Sequence, residues 1–156
     1  MAMELGAAVS LMEDAWWMPV TVSPSREYPY VVILEKALPH GVFVNSKGRR
    51  FTNEAEPYIT VCQTMYTSNC PKAKCIPCWF VFDRAYRKKY PAGPMMAPMV
   101  PPSRKVIDSG YLRAGNTVEE LARNCGIESR WIGRRSGEVQ RLCRDRDGFG
   151  LQQRWR

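Results

Sequence analysis

The chain has 156 residues, 45% of them hydrophobic, and a formal net charge of +8. This is enough apolar material for one core, and no apolar run reaches the roughly eighteen residues that a membrane-spanning helix needs. Residues 129–156 hold eight Arg against three acidic residues, so +5 of the charge sits in the tail and +3 in the first 128 residues, a distribution that argues against a basic nucleic-acid-binding face.

The first fourteen residues, MAMELGAAVSLMED, place Met3, Leu5, Ala8 and Leu11 or Met12 on one helical face, which predicts a helix followed by a short apolar exit, AWWMPV. The opening run carries acids early and no basic leader, so no signal peptide is expected. Six cysteines without such a leader read as reduced thiols, and the expected compartment is the cytoplasm. Trp16 and Trp17 read as core or interface residues.

Residues 21–29 predict a loop and the β-branched residues 30–34 a strand. Residues 41–45 predict a second strand, turned through Ser46, Lys47 and Gly48 to pair with residues 50–52 as a hairpin. His40, in a Pro-His-Gly turn, reads as a turn residue. A polar block with an Asn53-Glu54 pair follows, and Pro57 then suits the first turn of a helix that starts at Tyr58. A phenol, whose ordinary pKa is about 10, serves as a general base only where positive charge or a dipole stabilises the phenolate. A helix N-terminus beside arginines offers both.

Cys70, Cys75 and Cys78 have a spacing that offers thiolates to a tetrahedral ion, but a fourth ligand is missing, and no metal site is expected. Residues 78–82 (CWFVF) predict a buried strand ending at Asp83, followed by a short basic helix or turn. Residues 91–103 contain five prolines and read as a constrained loop with methionines on an apolar lining. Asn116 or Thr117, two acids in the first turn and Gly126 predict a capped helix. The tail has little apolar periodicity and no credible strand. The dinucleotide fingerprint GxGxxG is absent.

Four blocks in order carry a resemblance: MAMELGAAVSLMEDAWWMP, LPHGVFVNSKGRRFTNEAEPY, IPCWFVFDRAYRKKYPAGP and GYLRAGNTVEELARNCGIE. Together, over roughly residues 1–128, they resemble the FAD-dependent 3-ketosteroid dehydrogenases and the related fumarate reductase flavoproteins. The NExxPY block is similar to the former, because the reductases carry an arginine-bearing segment there. The resemblance implies a two-domain flavoenzyme that takes two hydrogens from a 3-oxosteroid ring, with Tyr58 as the proton acceptor and FAD as the hydride acceptor. Arg50, Asn53 and Glu54 are expected to position this turn, Asn53 and Glu54 on the cofactor side. Pro57, Met95 and Met96 are expected to contribute an apolar wall for the steroid.

The family's glycine-rich flavin-binding half and its C-terminal block find no match in these residues. The expected organisation is therefore a remnant of the FAD-binding domain over residues 1–20, a catalytic domain over 21–128 and a disordered basic tail over 129–156. Written with permitted synonymous codons and read one nucleotide later, residues 138–145 give Lys-Phe-Asn-Gly-Tyr-Ala-Glu, a family-like segment, so the tail is expected to be an out-of-frame reading. The fold expected is α+β, a mixed, partly antiparallel sheet with flanking helices, and the chain is expected to be inactive alone without bound FAD. The rival expectation is a small basic non-enzymatic protein that binds nucleic acid through its tail or zinc through its cysteines.

Overall fold

A computed structural model of the chain describes residues 3–22, 28–95 and 97–127, together with the backbone of Leu151–Trp155. Its strands are β1 (Val20–Thr21), β2 (Tyr30–Val31), β3 (Gly41–Val44), β4 (Cys78–Phe82), β5 (Leu112–Ala114) and β6 (Leu151–Trp155). Its helices are α1 (Tyr58–Thr67), α2 (Arg84–Lys89), α3 (Arg104–Asp108) and α4 (Val118–Cys125). The sheet runs β2-β1-β6-β4-β3, with β5 also on β6, and every pairing among the described residues is antiparallel. The α+β expectation holds.

The sheet is covered on both faces, and the period-2 alternation of strand side chains decides which residue goes where. Phe43, Cys78, Phe80 and Phe82 point to the face covered by Val61 and Met65 of α1 and Tyr86 of α2. Val42, Val44 and Val81 point to the other, against Val118, Leu121 and Ala122 of α4. A strand buried on both sides needs the continuous apolar run that CWFVF supplies. Phe43, Phe80, Phe82 and Tyr86 form a chain of rings with successive centroids 5.1, 5.7 and 5.0 Å apart. Gly41 is required here: a Cβ on it would lie 2.2 Å from the Phe80 ring.

Four local expectations are corrected. The helix over residues 1–14 reduces to a 3-10 turn at Met3–Leu5, after which Gly6 and Leu11 take positive φ. Leu5, Leu11 and Met12 are exposed, so the stripe that would drive the helix has nothing to pack on among the described residues. The strand over 30–34 stops after two residues and passes into a 3-10 turn at Glu35–Ala37. The turn at 45–49 is real, with Asn45 Oδ1 accepting from the Lys47 and Arg49 N–H groups. Its hairpin ladder, however, is a single bridge between Val44 and Arg50, and β3 pairs instead with β4. Finally, β6 lies inside a tail for which no strand was expected; residues 128–150 are outside the described residues. LQQRW has weak strand character of its own, and hydrogen bonding to β1, β4 and β5 makes it a strand.

Candidate functional site

Tyr58 opens α1, directly after Pro57, whose extended backbone (φ −50, ψ 142) lets its carbonyl accept the first helical bond from the Val61 N–H. Positions 58, 61, 62 and 65 share one helical face. Val61, Cys62 and Met65 bury it, and half-buried Tyr58 extends the stripe to the helix start. Its hydroxyl accepts a hydrogen bond from the Trp16 Nε1–H at 2.9 Å. An indole nitrogen can only donate, so the phenolic proton is left to point elsewhere.

The approach to Tyr58 is held from below by three charged side chains. Glu54, 5% exposed, accepts from the Phe43 N–H at 2.7 Å and pairs with Arg50, whose Nε and Nη2 lie 3.0 and 2.5 Å from Oε2. Lys36, 2% exposed on the 3-10 turn, donates to the Glu54 carbonyl at 2.8 Å and to the Glu56 carbonyl. Burial lowers the Lys36 pKa, with Glu54 opposing. Exposed Asn53 closes an Asx turn, its Oδ1 accepting from the Ala55 N–H at 3.2 Å.

Asn53, Glu54, Pro57 and Tyr58 therefore share one braced turn. Glu54 directs its carboxylate inward to Arg50 and Phe43. Met95 is half-buried, joined to Ala92 by reciprocal backbone bonds of 3.2 Å, and packs on the same core as Val61 and Met65. Met96 lies outside the described residues. A cavity of about 350 Å³ borders the turn, lined by His40, Arg50, Asn53 and Glu54 among others. His40 sits at φ +72 with Nδ1 3.0 Å from Asp83 Oδ2, and Asp83 also caps α2.

Lys36 and the Trp16–Tyr58 bond were not foreseen from sequence. Lys36 sits in an ordinary LEKAL run, and only the return of the chain beneath it shows its use. Trp16, 74% exposed, does not take the core place, one of the two expected for it.

No group of three or more His, Cys, Asp or Glu side chains able to hold a metal occurs among the described residues. Cys78 is fully buried inside β4 and Cys75 is buried beside Ser68 and Ala73. Burial pushes both thiols up, away from the thiolate form a metal requires. Among the described residues, too, no helix is long and apolar enough to cross a membrane. Among the described glycines, Gly6 and Gly126 have open space where a Cβ would sit. The space at Gly41 is taken by Phe80, at Gly110 by Arg113 and at Gly115 by the α4 backbone.

A family model described as FAD binding domain matches residues 1–153. A 3-oxosteroid 1-dehydrogenase of Mycobacterium tuberculosis is 37% identical over 130 residues, which cover 81% of this chain and 23% of that relative. A 4-oxocyclohexanecarboxylate 2-dehydrogenase of Sinomonas cyclohexanicum is 27% identical over 133 residues, 81% of this chain and 22% of the relative. The crystal structure of 3-ketosteroid delta1-dehydrogenase from Sterolibacterium denitrificans in complex with 1,4-androstadiene-3,17-dione superposes with a TM-score of 0.76 at 27% identity, over 99% of this chain and 33% of that one. The chain thus spans less than a quarter of the length of the curated relatives it matches. Four sequence blocks, a two-faced sheet of the same build and a match over nearly the whole chain converge: the chain belongs to the FAD binding domain family of flavoproteins, whose cofactor is FAD, and is a homologue of the 3-oxosteroid dehydrogenases.

Proposed function

We propose that this chain is the substrate-covering portion of a 3-ketosteroid dehydrogenase-like oxidoreductase, with Tyr58 accepting a proton from a carbon next to the ring carbonyl. The observation that carries the reading is the presentation of Tyr58: it starts a helix behind a turn clamped by Arg50, Glu54 and Lys36, and Trp16 supplies a donor to its oxygen. Removing two hydrogens from a CH–CH bond releases one as a proton, which the Tyr58 oxygen takes after its own phenolic proton has left, and one as a hydride. The hydride requires the family's FAD, and in this proposal the chain is inactive alone. In the same proposal residues 1–20 belong to the FAD-binding part and 21–128 to the catalytic part. Pro57, Met95 and Met96 face an apolar substrate such as a 3-oxosteroid, Asn53 and Glu54 steady the cofactor side, and the setting is cytoplasmic, where thiols stay reduced.

The test is a chimera in which residues 1–128 replace the matching segment of the Mycobacterium tuberculosis relative. Dehydrogenation of a 3-oxosteroid is expected, and Tyr58→Phe should lower it by about 10²-fold or more, the scale of general acid–base contributions. Flavin content and steroid affinity should change little. Activity of the Phe variant within a few-fold of its parent removes Tyr58 from the mechanism.

A further inference from the structure

A second cavity, of about 580 Å³, lies away from the Tyr58 turn, between α2, the proline-methionine loop and the start of α4. Its volume falls in the range of about 300–1,000 Å³ typical of small-molecule sites. Met99, Val100 and Pro101 of the loop give it an apolar lining, extended by Ala114 of β5. Arg84 and Lys88 also line it. They stand one helical turn apart on α2, both exposed, and neither has a hydrogen-bond or ion-pair partner among the described residues. Like charges at this spacing repel each other, and an anion between them relieves the repulsion. The cavity's carboxylate, Glu120, does not do so: its Oε2 accepts from the Asn116 N–H at 2.7 Å and closes the cap of α4.

Arg87 ties the apolar lining to the helix that bears the cations. Its guanidinium donates to the carbonyls of Ala97 at 2.6 Å, Val100 at 3.0 Å and Tyr90 at 3.3 Å, and its own carbonyl accepts from the Met99 N–H at 3.2 Å. Met99 is held at φ +65, a strained position for a residue with a Cβ, with its side chain 77% exposed at the cavity. The charged and apolar parts are thus fixed relative to each other by a buried arginine whose Nη1 and Nη2 are committed to the backbone, while its buried Nε has no partner among the described residues.

We propose that this cavity binds an organic anion with a compact apolar body, a ring-bearing carboxylate, with its head group between Arg84 and Lys88 and its ring against Met99, Val100 and Pro101. The site is independent of the dehydrogenase reading, since no residue of the Tyr58 turn lines it.

Calorimetric titration of the full chain with naphthoate, with neutral naphthalenemethanol and with inorganic phosphate tests the proposal. Naphthoate should bind about tenfold more tightly than either of the others, two partly exposed charge contacts together giving a factor of this size. The double variant Arg84→Gln with Lys88→Gln, both exposed positions, should bring naphthoate down to the level of the neutral compound while thermal unfolding stays unchanged. Met99→Ser should weaken naphthoate and naphthalenemethanol alike. Equal binding of the charged and neutral compounds, phosphate binding as tight as naphthoate, or a double variant that retains full affinity would each overturn it.

Discussion

Glu54 is the residue on which the Tyr58 turn depends, because its carboxylate answers an Arg50 guanidinium and a buried Phe43 N–H at once. Truncating one partner of such a pair strands the other, so Glu54→Ala should cost about 2–3 kcal/mol in urea unfolding, at the lower end because Arg50 keeps some solvent. Glu54→Gln keeps an acceptor for Phe43 and should cost about half as much; equal losses would mean that the charge is irrelevant. The thiols set a second, pH-dependent term. Burial pushes Cys62 up to about 11, Lys36 pulling the other way, and Cys125 up to about 12, Arg113 pulling the other way; Cys75 and Cys78 shift in the same direction. A pKa raised in the folded state gives stability that is complete below the unfolded value of 9.0 and is lost as pH rises through the folded one. Lys36, lowered from 10.5 by burial, has the opposite sign, but one amine faces four thiols. Unfolding free energy should therefore fall above pH 9, by up to about 1.4 kcal/mol per pH unit for each thiol, and Cys62→Ala should flatten the slope. Stability that stays level or rises from pH 9 to 11 would remove the thiols from this role.

Elements with their own local signals were legible. α4 is bounded as its residues dictate: Thr117 Oγ1 accepts from the Glu120 N–H at 3.1 Å, and Gly126 leaves the helix at φ +68. Thr117→Ala should cost about 1 kcal/mol. α2 behind its Asp83 cap, β4 as a continuous apolar run and Tyr58 at the start of α1 could be read the same way. Elements that depend on a distant partner could not. The Asn45 turn looks like a hairpin because turn chemistry is local, whereas the β3 partner, β4, lies more than thirty residues on. β6 is polar at its centre and gains strand form only between its neighbours. Lys36, ordinary in sequence, becomes a clamp only when the NEAEP turn folds over it. Gly41 belongs to this second class too. Nothing in its sequence context marks it, yet Gly41→Ala drives a Cβ into the Phe80 ring and should cost about 1–3 kcal/mol by overpacking. Thermal melts that rank Thr117→Ala as clearly worse than Gly41→Ala would contradict this account of the core.

At the scale of the whole molecule, the Tyr58 turn is internally braced while apolar surface beside it stays exposed. Leu5, Leu11, Met12 and Trp16 are all exposed along the segment that ends at the Tyr58 hydroxyl, more apolar surface in one stretch than a solvated loop needs. The matched segment covers 23% of a 3-oxosteroid 1-dehydrogenase relative. Binding a dinucleotide requires backbone N–H groups that can approach phosphate closely at glycines. In the described residues such approaches at Gly41, Gly110 and Gly115 are already made by the protein's own atoms, while Gly6 and Gly126 are open. If this chain is the substrate-covering portion proposed above, the purified chain should retain no FAD through gel filtration, although the family's cofactor is FAD. The same chain should still show the Trp16–Tyr58 contact, since that bond and the Glu54 clamp involve only described residues: Tyr58→Phe should change Trp fluorescence with no flavin present. A stoichiometric flavin spectrum after gel filtration would mean that residues outside those described build a phosphate site. The division of labour proposed here, a proton acceptor on this chain and hydride acceptance elsewhere, would then have to be abandoned.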